Sequence, residues 1–334
     1  MTDFSNHPHA YYDNDPLPLP VKIDTVSNPF KDSFDNSILD FEVTTSPIYL
    51  ATNEEKYGEY GSDSCMDKQA VVKLHKDGSV EDWWVVGKDY FVKSHRDFYE
   101  SIEEKIVERF DPNHIASVEI KTKSSRNGRW GLREYMFDSI SIPVKTTNNF
   151  ETTIKFRIVA WSGLDGMTAN NYLLGAFDSY CMNGCVWSSA GQTDYTRMKK
   201  RNSKLFNLNH FSNTLVTASE DFYNRSEEFQ SMAQTRLIAF NGLEFIEALK
   251  VSGKKIEGLK DLYLDEVYLR GENVFALHSA LTNYASHQHE HKFLTRRTKY
   301  FSDQAPELMF KREEEVTNIL QSKEWVALLD REAA

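Results

Sequence analysis

The stretch from Phe156 to Trp187, FRIVAWSGLDGMTANNYLLGAFDSYCMNGCVW, constrains this chain more than any other. Phe156, Ile158 and Ala160 alternate with Arg157, Val159 and Trp161, the period of a half-buried strand ending at Gly163. A tight Leu164-Asp165-Gly166 turn follows. Beyond it Ala169, Tyr172, Leu173, Ala176, Phe177, Tyr180 and Cys181 recur at helical spacing. That predicts a helix with one buried face, capped by Thr168 and stopped at Asn183-Gly184. Strand, turn and helix would fix a core, but they present no catalytic chemistry.

A chain of 334 residues can bury one large core or two smaller ones. No run of about 18 apolar residues is present, so no membrane span is expected. The first residues, MTDFSNHPHAYYDND, lack a basic region followed by an apolar one, so no secretory signal is expected either. Three cysteines in so long a chain argue for a reducing cytoplasm and free thiols. The net charge of −11 is unevenly spread: residues 1–65 hold twelve Asp and Glu against three Lys, which leaves −2 for the rest. Overall acidity therefore does not exclude a nucleic-acid partner for the body of the chain.

Residues 1–69 are acidic and broken by Asp15-Pro16-Leu17-Pro18-Leu19-Pro20, which predicts a largely extended arm ordered against the body or a neighbouring subunit, with Ile48-Tyr49-Leu50 as a short edge strand. From Ala70 the texture changes. Val71–Leu74 and Trp83–Val86 flank an Asp77-Gly78 hairpin signal, and Ser94 caps a helix through Phe98, Ile102, Ile106 and Phe110. Strands at Ile115–Lys123, Trp130–Val144 and Phe150–Trp161 follow. The fold class expected is α+β: a mixed antiparallel sheet with helices on one face, in the order β-β-α-β-β-β-α over residues 70–190. A mainly helical region over 191–334 follows. In it Phe211, Leu215, Ala218, Phe222, Phe229, Met232 and Phe240 mark one long helix with an apolar seam, for the core or a subunit contact. A helix over Gly242–Val251, a loop over Ser252–Lys260 and a helix from about Glu272 to His291 complete the region.

The most suggestive chemistry is the hairpin Lys121-Thr-Lys123-Ser-Ser-Arg126-Asn-Gly-Arg129-Trp130-Gly-Leu-Arg133. It carries five cations, no carboxylate and an indole beside the turn. Cations neutralise phosphates and an indole stacks on a base, so this ribbon suits a single nucleic-acid strand. The competing reading is a solvated hairpin whose edge lysines discourage aggregation. Further basic segments carry Arg197, Lys199, Lys200 and Arg201, and Arg296 and Arg297. His287 with His291, and Cys181 with Cys185, have metal-ligand spacing but lack a second pair, so no metal and no cofactor is expected. The phosphate-loop, dinucleotide, zinc-protease and serine-hydrolase templates are missing from the sequence, so no enzyme is expected. Asp165 reads as a turn residue.

Four segments in order resemble a phage- and plasmid-related family known as domain of unknown function nine hundred and thirty-two. They are Trp84-Val-Val-Gly-Lys-Asp-Tyr90-Phe-Val; Arg126-Asn-Gly-Arg-Trp through Ile142-Pro143; Ser162-Gly-Leu-Asp165-Gly166 with Cys181-Met-Asn183-Gly184; and Asn273 through Tyr284 with His287. Leu164 and Ser279 depart from it, standing where the family often has His and Asn. The β-β-β-α order with a basic hairpin is also similar, at the level of topology, to the single-strand annealing proteins of phage recombination, including Red-beta and the Rad-fifty-two-like superfamily. The resemblance implies a homo-oligomeric protein of the infected bacterial cytoplasm that binds single-stranded DNA and promotes annealing in recombination or replication without nucleotide hydrolysis. The alternative is a protein–protein assembly or host-takeover module.

Overall fold

The fold is seen in a computed structural model that describes residues 29–35, 37–50, 63–166, 168–180, 183–185, 197–200, 208–287 and 305–333. Strands β1 (Glu42–Leu50), β2 (Asp63–Leu74) and β3 (Val80–Gly87) form a small antiparallel sheet in that order. A second sheet follows the path β4 (Val118–Ser125), β5 (Trp130–Lys145), β6 (Glu151–Gly163), β7 (Asn170–Asp178) and β8 (Asn183–Cys185), with β9 (Arg197–Lys200) also paired to β7. Every pairing is antiparallel. The class is α+β with a helical C-terminal half.

The helix expected after Gly166 is strand β7, which pairs with β6 from Ile154↔Asp178 to Trp161↔Asn171. The three- and four-residue spacing misleads here because both faces of β7 are covered. Tyr172, Leu174 and Ala176 enter the main core, while Leu173 packs on the opposite side. A strand buried on both faces is apolar throughout, so its sequence contains the helical period by coincidence. Thr168 is accordingly no helix cap, and Asn183-Gly184 opens β8 rather than stopping a helix.

Helix α1 (His95–Arg109) forms where expected. Ser94 Oγ accepts from the Asp97 amide at 3.0 Å, and Phe98, Tyr99, Ile102 and Ile106 are buried. A short α2 (Pro112–Ala116) follows, capped by Asp111. The single long helix expected after 208 is three: α3 (Asn209–Asn224), α4 (Ser226–Gln234) and α5 (Ala239–Ala248). Thr235 and Ile238 take extended backbone angles and turn the chain between the last two. Its seam is consumed within the chain, since all but Phe240 are buried and Phe240 is 65% exposed. The loop expected over 252–260 is the start of α6 (Gly253–Arg270); Gly258 and Leu259 are buried there, so tertiary packing overrides the glycines' low propensity. Helices α7 (Val274–His287), α8 (Ala305–Leu320) and α9 (Lys323–Ala333) complete the described elements.

One continuous core runs from Phe30 to Leu328. Phe30, Phe34 and Leu39 belong to it, so the described part of the acidic arm packs on its own body. Helices α1 and α3 cover one face of the large sheet, where Phe110 meets Phe137 and Phe222 meets Phe156. Helix α8 also meets the sheet, through Glu313, 2.5 Å from Arg157 of β6. Two more buried arginines act likewise. Arg133 joins Glu103 of α1 at 2.6 Å and Ser33 of the arm. Arg270 joins Asp178 of β7 at 2.7 Å and Glu266 at 2.6 Å, and lies over the Phe150 ring. Among the described residues no helix is long and apolar enough to cross a membrane.

Candidate nucleic-acid interface

The basic hairpin exists, with β4 paired to β5 from Val118↔Phe137 to Ser125↔Trp130. Its tip is docked rather than projecting. Arg126, Asn127 and Gly128 all take positive φ, and His95 Nε2 donates to the Gly128 carbonyl at 2.7 Å. A side chain at position 128 would come within 2.8 Å of the Phe41 ring, so both space and backbone angle demand glycine there. Asn127 Nδ2 donates to Glu81 of β3 at 2.5 Å, and Arg126 Nη1 to Asp165 at 2.6 Å.

Two of the expected strand-binding residues are interior, and this corrects the sequence reading. Trp130 is fully buried with Leu132, Val159 and Trp161, and Arg133 is fully buried in its pair with Glu103. The cause is position: β5 lies inside the sheet with both faces covered, so alternation along it exposes neither side. The remaining cations sit at the margin. Lys121 is part-exposed, 3.4 Å from Glu119, and lies over the Phe177 ring. The Lys123 side chain is 51% exposed and 3.8 Å from Glu134. Arg126 is held by Asp165, and Arg129 lies half-buried against the Trp83 ring.

The second basic segment enters the same sheet. Arg197, Lys199 and Lys200 are on β9, opposite Leu173, Asn171 and Asn170 of β7. The register makes two cross-strand rows: Lys121–Glu134–Val159–Leu173–Arg197, and Lys123–Leu132–Trp161–Asn171–Lys199. Each row has a cation at both ends and a mostly buried middle that is apolar except for Glu134 in the first and Asn171 in the second. Arg201, Arg296 and Arg297 lie outside the described residues, as do Cys181 and His291 of the metal-spaced pairs. Among the described residues no three His, Cys, Asp or Glu side chains come together as metal ligands.

Sequence reasoning missed Trp84. It treated the Trp83-Trp84 pair as ordinary alternating strand residues, whereas Trp83 is an extra residue of β3, bulged opposite Val71 and Val72, so that both rings lie toward the body to different depths. Trp83 is buried beside Val43, Val71 and Leu164, and Trp84 is 46% exposed. The sole local signal was the doubled tryptophan. Buried titratable groups occur inside the fold. Burial pushes the Glu103 carboxyl up to about 7 against the opposing pull of Arg133, and burial holds His95 down at about 4. Both are closed off by packing, which suits structure rather than substrate chemistry. Asp165 keeps its turn role, accepting from the Thr168 amide at 2.6 Å and hydroxyl at 2.9 Å. No family model, no curated protein and no solved structure matches this chain.

Proposed function

We propose that this protein binds single-stranded DNA and promotes strand annealing without nucleotide hydrolysis, in the cytoplasm of a phage-infected bacterium. One observation carries the reading. Two basic segments far apart in sequence end the same pair of cross-strand rows, Lys121 with Arg197 and Lys123 with Lys199. The register thus puts a basic residue at both ends of each row, on strands that one sheet holds together. That arrangement suits a flexible phosphate backbone, whose affinity comes from neutralised charges rather than base contacts. The buried middle of the rows confines binding to the edges, so the expected site is Lys121, Lys123 and β9 rather than Trp130 and Arg133.

The test is a salt series of binding to labelled oligothymidine. Affinity falls with rising salt, and Lys121→Ala with Lys123→Ala flattens the slope by roughly 0.7 for each phosphate partner removed. Salt-independent or undetectable binding at low salt rejects the reading. A second reading, a protein–protein assembly module, is favoured by Tyr268 of α6, 93% exposed, with Leu264 one turn before it and Phe240 of α5 also exposed. It gains weight if DNA binding fails while the protein still assembles with itself or a partner.

A further inference from the structure

We infer that Trp84 is the base-stacking residue of this nucleic-acid site, in the role that the sequence offered to Trp130. The inference rests on the single-strand reading above and adds to it a residue and a mode of recognition.

Stacking on a base needs an aromatic face open to solvent, held still, and close to a cation that can take the adjoining phosphate. Trp84 meets the first two, and the turn it rests on also holds Arg126. Its 46% exposure leaves indole surface uncovered in the folded chain. The bulge opposite Val71 and Val72 places an extra residue in β3, so both tryptophans lie toward the body: Trp83 enters the core, and Trp84 rests on the turn after β6. A methyl group at Gly166 would come 3.2 Å from Trp84 Cδ1, which shows how closely the indole edge lies on that turn. Gly166 has φ +70, a conformation other residues adopt with strain, so turn and indole position are set together. Such support lowers the ordering cost of a stacked complex.

The same turn brings the cation. Asp165, next to Gly166, holds Arg126 of the hairpin tip at 2.6 Å, and Asn127 is tied to Glu81 three residues before Trp84. Lys123 lies three residues before Arg126 on β4. Trp84 and Arg126 therefore meet the same turn, Trp84 at Gly166 and Arg126 at Asp165. The other well-exposed aromatic side chains among the described residues are Phe91 after β3, Tyr180 after β7, and Phe240 and Tyr268 on the C-terminal helices α5 and α6.

The experiment compares the full-length protein with Trp84→Ala and Trp84→Phe on two oligonucleotides of equal length, one of thymidines and one of abasic sites, at low salt. Thermal unfolding is recorded alongside. Trp84→Ala is expected to weaken thymidine-strand binding roughly 5- to 150-fold. Binding to the abasic strand should stay the same, Trp84→Phe should retain most of the affinity, and the unfolding temperature should be unchanged. Wild-type protein that fails to bind the thymidine strand removes the nucleic-acid reading, and the inference with it. Wild-type binding that Trp84→Ala leaves intact removes the Trp84 inference alone. An equal loss on both strands overturns it too, because the indole then acts through the phosphate backbone or the fold.

Discussion

Arg133 shows what burial does to a residue that looks like a phosphate ligand. It neutralises Glu103 at 2.6 Å, donates to Ser33 and faces the Phe34 and Tyr99 rings. Arg133→Ala strands a buried carboxyl and should cost about 3–5 kcal/mol in urea unfolding, whereas Arg133→Met combined with Glu103→Leu should cost clearly less. The neighbouring titrations make a second prediction. His95 is held at about 4 when folded against 6.5, so the unfolded chain takes the extra proton between those values. Its contribution is complete above about 6.5 and is lost as pH falls toward 4. Glu103 runs the other way, folded at about 7 against 4.5. Its contribution is complete below 4.5 and is lost as pH rises toward 7. The two slopes oppose each other over most of their range. Glu103→Gln should therefore leave stability rising more steeply between pH 4 and 6.5 than in the wild type, and His95→Gln should leave it falling more steeply between 4.5 and 7. Parallel curves for wild type and both variants would contradict this assignment.

At the scale of elements, the turn from β6 to β7 decides the sheet. Gly163 pairs with Trp130, and a side chain there would drive into Thr168, with the Thr168 carbonyl only 2.7 Å away. Backbone cannot step aside as a flexible side chain can, so Gly163→Ala should cost on the order of 3 kcal/mol. Gly253→Ala at the start of α6 meets nothing within 4 Å and should be neutral or slightly stabilising. Equal unfolding midpoints for the two variants would show that the turn has slack. Local signals were reliable where an element has one wet face. The Ser94 cap and the spacing of Phe98, Ile102 and Ile106 placed α1 well, and Asp77-Gly78 placed the β2–β3 hairpin. They failed at β7, which has no wet face, and at the breaks between α3, α4 and α5, where an apolar seam continues through changes of direction.

The molecule as a whole is stitched by buried arginines across regions that the composition kept apart. Arg270 binds the helical half to the end of β7 through Asp178, whose Oδ1 also accepts from Thr152. Arg270→Ala should cost about 3–5 kcal/mol, because Asp178 and Glu266 would be left facing each other without their cation. Since the core is continuous from Phe30 to Leu328, denaturant unfolding should be a single transition for the wild type. Two resolved transitions, or a stable proteolytic fragment over 70–190, would show instead that the halves fold independently.

By itself the sequence determined the α+β class, the β4–β5 and β5–β6 hairpins, the cap of α1 and the turn role of Asp165. Each of these depends on residues near one another in the chain: turn glycines, a capping hydroxyl, alternation over a few positions. Only the tertiary structure decided that β7 is a strand, that Trp130 and Arg133 are interior, and that Lys121 and Lys123 share rows with Arg197 and Lys199. Those facts follow from which surfaces cover which. A cation is a ligand or a buried clamp according to what packs over it, and local sequence carries no record of that covering.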